Sequence, residues 1–197
     1  MNLPTKLTVS RIILSPVFFL VWFLPIWTGH GAFISAIFLI VLFIVQELTD
    51  VLDGAIARKR NLVTEVGKVL DPFADVMSRM TFFICFTGSS LMPVWVFTIL
   101  LYRELAITFL RLLMIRRGIA MAASIWGKLK AVVYTLAGIT GISAVVISRF
   151  GLSEDIAITL ETIALYVFIL AALASVSSFV TYAVRARRVL ADSEQGN

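Results

Sequence analysis

Ala32 to Asp75 reads AFISAIFLIVLFIVQELTDVLDGAIARKRNLVTEVGKVLDPFAD, and the whole chain is interpreted outward from it. Its first half is an almost unbroken apolar run of the kind a membrane-spanning helix needs, about 20 residues at 1.5 Å rise each. Into the end of that run, and into the segment that follows, are set Asp50, Asp53, Asp71 and Asp75. A carboxylate at the centre of a span costs roughly 2.5–3.5 kcal/mol on insertion scales, so four of them need a compensating partner. Divalent metal is the natural one.

The rest of the chain supports a bilayer setting. Of its 197 residues, 60% are hydrophobic and 15% charged, and the mean hydropathy is +0.99. A soluble domain of this size would expose too much apolar surface. Apolar segments at about 8–23, 32–53, 73–86, 93–115, 130–148 and 156–184 predict an all-α integral membrane protein with six transmembrane helices. Turn-forming or polar stretches separate them. Residues 1–197 are expected to form a single membrane domain, and six spans place both termini on one side. The chemistry of the N-terminal residues allows a short amphipathic helix lying on the membrane ahead of the first span, with Pro4 limiting its length. The start lacks an A-x-A-like cleavage site and is expected to stay on the mature protein. The polar tail from Ala191 to Asn197 is expected to fray.

Orientation follows from the basic residues, which gather in short cytoplasmic loops. With a cytoplasmic N-terminus, Arg149 is the only one of the seventeen Lys and Arg residues on the far side. The aspartates then lie at the cytoplasmic ends of spans two and three. The net charge of +5 becomes attraction to anionic headgroups, with nucleic acid excluded as a partner. Trp22, Trp27, Trp95 and Trp126 fall near the interfaces as belt residues. His30 is a far-side loop residue, and Cys85, the single cysteine, rules out an internal disulfide and a cysteine-based zinc site.

On a helix, Asp50 and Asp53 are about 60° apart and Gly54 about 40° from Asp50, so the three share a face. Asp71 and Asp75 stack one turn apart on the next helix and meet the first pair across a short loop. Four carboxylates from two antiparallel helices suit two hard cations, Mg²⁺ or Mn²⁺. Gly54, Ala57 and Gly67 remove side chains where a bulky ligand approaches the backbone. Arg58 and Thr64 offer phosphate or hydroxyl contacts beside them. Metals, arginine and glycine together suit a diphosphate, and a carboxylate not fully occupied by metal, Asp75, is the candidate general base.

A second anion site is expected on the fourth and fifth spans. Arg103 lies too deep in its span for easy snorkelling. Glu104 and Arg111 fall within about 20° of one face, placed to lock each other. Lys128 and Lys130 close the group, which fits a phosphorylated acceptor better than a neutral alcohol. A helix-packing salt bridge among Arg103, Glu104 and Arg111 is the competing reading. For the aspartates the competing reading is a structural ion-pair network with Arg58, Lys68 and Arg79, in which Arg79 is the counter-ion of Asp75. Glu47 is read as a supporting residue rather than a ligand.

Asp50-Val-Leu-Asp53-Gly54-Ala-Ile-Ala57-Arg58 with Gly67-Lys-Val-Leu-Asp71-Pro-Phe-Ala-Asp75 resembles the signature of the CDP-alcohol phosphatidyltransferases, with every specified position filled. The resemblance implies six transmembrane helices, usually as a homodimer, around a cytoplasm-facing polar cavity open to lipid in the cell (inner) membrane. It implies a CDP-linked lipid substrate, metal bound by Asp50, Asp53, Asp71 and Asp75, and Asp75 doubling as base. It also implies nucleotide contacts from Gly54, Arg58 and Thr64, with Asn2, Leu3, Pro4 and Thr5 closing over them. The opening residues 2–11 and the segment 102–130, with Arg103, Arg111, Lys128 and Lys130, resemble the branch whose acceptor is sn-glycerol 3-phosphate. Val51, Val76, Tyr102 and Ala131 depart from that branch. The other acceptors open to the family are inositol phosphate, phosphatidylglycerol, serine and choline.

Two other classes fit the pattern less well. A cation transporter also carries intramembrane aspartates, but spreads them along a path. Here they cluster at one end beside glycines and basic residues. A membrane scaffold leaves Gly54, Ala57 and Gly67 unexplained.

Overall fold

The computed structural model describes residues 2–59, 65–116 and 125–195, and every regular element among them is helical. The elements are α1 (Leu3–Thr28), α2 (Ala32–Lys59), α3 (Glu65–Gly88), α4 (Val94–Arg116), α5 (Ile125–Phe150) and α6 (Glu154–Gln195). Each matches one expected apolar segment, lengthened by its flanking polar turns.

Local chemistry explains the boundaries. Pro4 sits in the first turn of α1, where its missing N–H would have no helical partner anyway. The lead-in segment therefore joins the first span: α1 runs unbroken from Leu3, and no separate helix precedes it among the described residues. Gly29 ends α1 in the left-handed region, φ 72°, returning its N–H to Pro25 O, a conformation glycine adopts without a Cβ penalty. The connection to α2 is then three residues long, which keeps α1 and α2 packed side by side. α6 continues to Gln195, well into the tail expected to fray, because no glycine or proline interrupts it before Gly196.

By length and composition, four stretches among the described residues qualify as membrane-crossing: Thr5–Thr28, Ala32–Leu52, Leu129–Phe150 and Glu154–Val184. α3 and α4 are long enough but carry the charged residues that matter below, which lowers their apolarity. α1 packs on α2 and α3, α5 on α6 and α2, and α6 on α4. The centre of the bundle is aromatic. Phe18 meets Phe82 edge-on at 4.7 Å between ring centroids, and Phe86 stacks on Phe168 at 5.4 Å. α5 comes close enough to α3 that a Cβ on Gly141 would lie 2.6 Å from the Phe86 ring. Large apolar side chains such as Ile13, Leu20, Phe33, Phe38, Tyr166 and Leu173 face outward, as lipid requires and water forbids.

Near the end of α5, Arg149 donates to Ser35 Oγ and to Trp22 O, each at 2.6 Å, and stands over the Trp22 ring. The one basic residue assigned to the far side is thus committed to tying α5 to α1 and α2.

Candidate active site

Three of the four motif aspartates come together, and the agents that join them are arginines. Arg11, on α1, is 1% exposed; its Nη1 donates to Asp50 Oδ1 and its Nη2 to Asp71 Oδ1, the latter at 2.5 Å. Arg79 Nε donates to Asp75 Oδ1 at 2.5 Å, and its Nη2 lies 3.9 Å from Asp50 Oδ2. Asp50 therefore stands between two guanidinium groups. The Asp50, Asp71 and Asp75 side chains are 33%, 50% and 36% exposed, above arginines at 1% and 12%. This leaves the carboxylates reachable from outside and the cations beneath them. Arg79 pairs with Asp75 as expected of an ion-pair network, and Arg11 is a member that spacing did not suggest; the side chain of Lys68, a further expected partner, lies outside the described structure.

Asp53, Gly54, Ala57 and Arg58 occupy the following turns of α2, and Gly67 the first turn of α3. The side chains of Asp53 and Arg58, like that of Lys128, lie outside the described structure, and Thr64 lies outside the described residues altogether. Among the described residues no three His, Cys, Asp or Glu side chains form a metal-holding group. The donor chemistry nevertheless fits a hard divalent cation, since the converging groups are carboxylates and no thiol or imidazole stands among them. Arg79 Nη1 is buried without a hydrogen-bond partner among the described residues, a donor suited to an anionic oxygen. At the N-terminus, Thr5 Oγ1 donates to Asn2 Oδ1 at 2.6 Å, and Thr5 is buried. Leu3 and Pro4 form the first turn of the helix that also delivers Arg11.

A layer of polar side chains lies one turn deeper. Ser15 Oγ is 3.3 Å from Gln46 Oε1 and 3.2 Å from Ser78 Oγ. These residues stand four after Arg11, four before Asp50 and three after Asp75, so they line the floor beneath the carboxylates. Glu47, taken as a supporting residue, accepts from Thr135 Oγ1 at 3.3 Å.

The second cluster forms around Glu104. Its Oε1 accepts from Arg103 Nη1 at 2.8 Å, Lys130 Nζ at 2.6 Å and Tyr134 OH at 3.0 Å. Arg103 turns toward α6, where it also donates to Ser175 O at 3.3 Å and Ser178 Oγ at 2.9 Å. The expected pairing of Glu104 with Arg111 does not form. Seven residues put the two on one angular face but about 10.5 Å apart along the axis, and Arg111 is exposed while Glu104 is 5% exposed. Tyr134 joins the clusters: Lys130 Nζ lies 4.5 Å and Arg79 Cζ 5.9 Å from its ring centroid.

Sequence reasoning missed Arg11, Tyr134 and Ser175. Arg11 did carry a signal, as a charged residue inside an apolar segment that had to find a partner. Tyr134 and Ser175 carried none, because both look like ordinary helix-packing residues until neighbouring helices are placed.

A family model described as CDP-alcohol phosphatidyltransferase matches residues 1–191. The chain is 36% identical over 152 residues to a Bacillus subtilis (strain 168) protein named CDP-diacylglycerol--glycerol-3-phosphate 3-phosphatidyltransferase, covering 74% of this chain and 77% of the relative. It is 35% identical over 140 residues to the Treponema pallidum (strain Nichols) protein of that name, covering 68% and 65%. For the Aquifex aeolicus (strain VF5) protein of that name the figures are 37% over 133 residues, 65% and 68%.

Proposed function

The chain belongs to the CDP-alcohol phosphatidyltransferase family, and from that premise we propose that it moves the phosphatidyl group of CDP-diacylglycerol onto sn-glycerol 3-phosphate. The products are CMP and phosphatidylglycerophosphate. Family membership makes it a transferase and a multi-pass membrane protein. The observation that carries the reading is the convergence of Asp50, Asp71 and Asp75 within reach of Arg11 and Arg79, with a second cationic cluster linked through Tyr134. The names of the relatives, which specify CDP-diacylglycerol and glycerol 3-phosphate, support the choice of donor and acceptor.

Asp50, Asp53, Asp71 and Asp75 would hold two divalent cations, Mg²⁺ or Mn²⁺, whose contribution when bound is to neutralise the diphosphate and the departing CMP. Gly54, Ala57 and Gly67 leave room for the nucleotide, with contacts from Arg58 and Thr64 and a cover from Asn2, Leu3, Pro4 and Thr5. Arg79 engages one oxygen of Asp75 and so orients the carboxylate that takes the proton from the acceptor hydroxyl. The acceptor oxygen attacks the lipid-side phosphorus, and the bond from that phosphorus to the CMP oxygen breaks. Lys130, Lys128 and Arg111 receive the acceptor's phosphate. Arg103, bonded to Glu104 and to α6, supports them from behind. In this reading the protein is a homodimer in the cell (inner) membrane, with termini and active site cytoplasmic, as the distribution of basic residues suggests.

Purified protein supplied with CDP-diacylglycerol and Mg²⁺ is expected to release CMP on addition of glycerol 3-phosphate, and to stop when the metal is chelated. CMP release with inositol phosphate, serine, choline or phosphatidylglycerol in place of glycerol 3-phosphate would overturn the acceptor. Turnover that survives chelation would overturn the metal role.

A further inference from the structure

Tyr134 is 2% exposed and is held at both ends. Its hydroxyl donates to Glu104 Oε1 of α4 at 3.0 Å and pairs with Ser175 Oγ of α6 at 2.9 Å. Its ring meets Phe83 of α3 edge-on at 5.3 Å. One side chain on α5 therefore touches three other helices, and little torsional freedom remains to it. Burial and the edge contact with Phe83 hold the ring in place even without the hydroxyl, and its face is what the neighbouring cations meet.

Two cations stand over that ring. Lys130 precedes Tyr134 by one helical turn, which brings the ammonium over the aromatic face at 4.5 Å. Arg79 reaches the ring from α3 at 5.9 Å. Each cation is neutralised by its own carboxylate, Lys130 by Glu104 at 2.6 Å and Arg79 by Asp75 at 2.5 Å. The result is a continuous row: Asp75, Arg79, Tyr134, Lys130, Glu104. A desolvated ring attracts both cations electrostatically, so like charges that would repel are kept at a set separation. An ammonium offers three donors, of which Glu104 takes one.

We propose that Tyr134 is a positioning residue that fixes how far Lys130 stands from the Asp75–Arg79 pair, and that this spacing selects acceptors carrying an anion at a matching distance from the reacting hydroxyl. The inference rests on the functional reading above, in which Asp75 takes the proton and Lys130 binds the acceptor's phosphate.

The test compares steady-state kinetics of detergent-purified full-length protein, with glycerol 3-phosphate as acceptor, for Tyr134→Leu, Tyr134→Phe, Lys130→Ala and the Tyr134→Leu/Lys130→Ala pair. Tyr134→Leu removes the ring and is expected to raise the acceptor KM about tenfold, with kcat and the CDP-diacylglycerol KM within about threefold of wild type. Tyr134→Phe keeps the ring and should hold the acceptor KM within about threefold. In the Lys130→Ala background Tyr134→Leu should add less than about twofold, since it acts through a group already gone. Multiplying effects in the pair, or a phenylalanine variant as impaired as the leucine one, would overturn the proposal. If the leucine variant does not fold, Tyr134→Phe against wild type decides by the same threefold criterion. Turnover by the wild type with glycerol 3-phosphate, combined with independent effects in the variants, would overturn this inference alone. A wild type that uses only unphosphorylated alcohols would remove the acceptor reading and this one together.

Discussion

Arg11 and Asp75 divide the work of the site at the level of single residues. Asp75 has one oxygen engaged by Arg79 and is the proton acceptor of the proposed reaction. Asp75→Asn keeps the shape and loses the basicity, so CMP release should fall by at least about 10²-fold while the melting temperature stays close to wild type; near-normal turnover would remove Asp75 as the base. Arg11 holds Asp50 and Asp71 together. Arg11→Ala leaves two neighbouring carboxylates without that counter-charge and should cost roughly 1–3 kcal/mol of stability in metal-free protein. Added Mg²⁺ should raise the melting temperature of Arg11→Ala more than that of wild type, because the cation supplies the missing positive charge. Equal shifts in the two proteins would count against a shared carboxylate site.

Among the elements, α5 carries the largest share of the architecture. Its first half presents Lys130 and Tyr134 to the charged clusters, its middle presses Gly141 on Phe86, and its last turn is pinned by Arg149. Gly141→Ala would place a methyl 2.6 Å from the Phe86 ring and should destabilise the protein by about 1–3 kcal/mol through overpacking. Phe86→Leu in the same chain should recover part of the loss, as read by thermal unfolding in detergent; a Gly141→Ala variant as stable as wild type would mean α5 and α3 separate easily. α3 and α4 were legible as helices but carry too much charge to match the apolarity of the other four. Asp75 and Arg79 of α3 and Arg103 and Glu104 of α4 belong to the two clusters, which is why composition alone undervalues these helices.

For the molecule as a whole, the distribution of basic residues predicts which side of the membrane each segment faces in the proposed orientation. With the aspartates on the cytoplasmic side, a cysteine introduced by His30→Cys should react with a membrane-impermeant maleimide from outside intact cells. One introduced by Asn197→Cys should react only after lysis. Cys85 is fully buried and gives little background. The reverse pattern of labelling would invert the proposed orientation and place the active site away from cytoplasmic CDP-lipid.

Residue order alone determined the class of fold, the number of helices among the described residues and the spacing of the carboxylate motif, because hydrophobic length and side-chain spacing along a helix are local properties. The charged residues of the second cluster were visible in the same way, but their partners were not: Glu104 and Arg111 shared a face on paper and stood two turns apart in space. Only tertiary structure decided that Arg11 bridges Asp50 and Asp71, that Arg103 is spent on α6, and that Tyr134 stands between Arg79 and Lys130. Each of those arrangements brings together groups from more than one helix, and which helix faces which is set by the packing of the whole bundle rather than by any one segment.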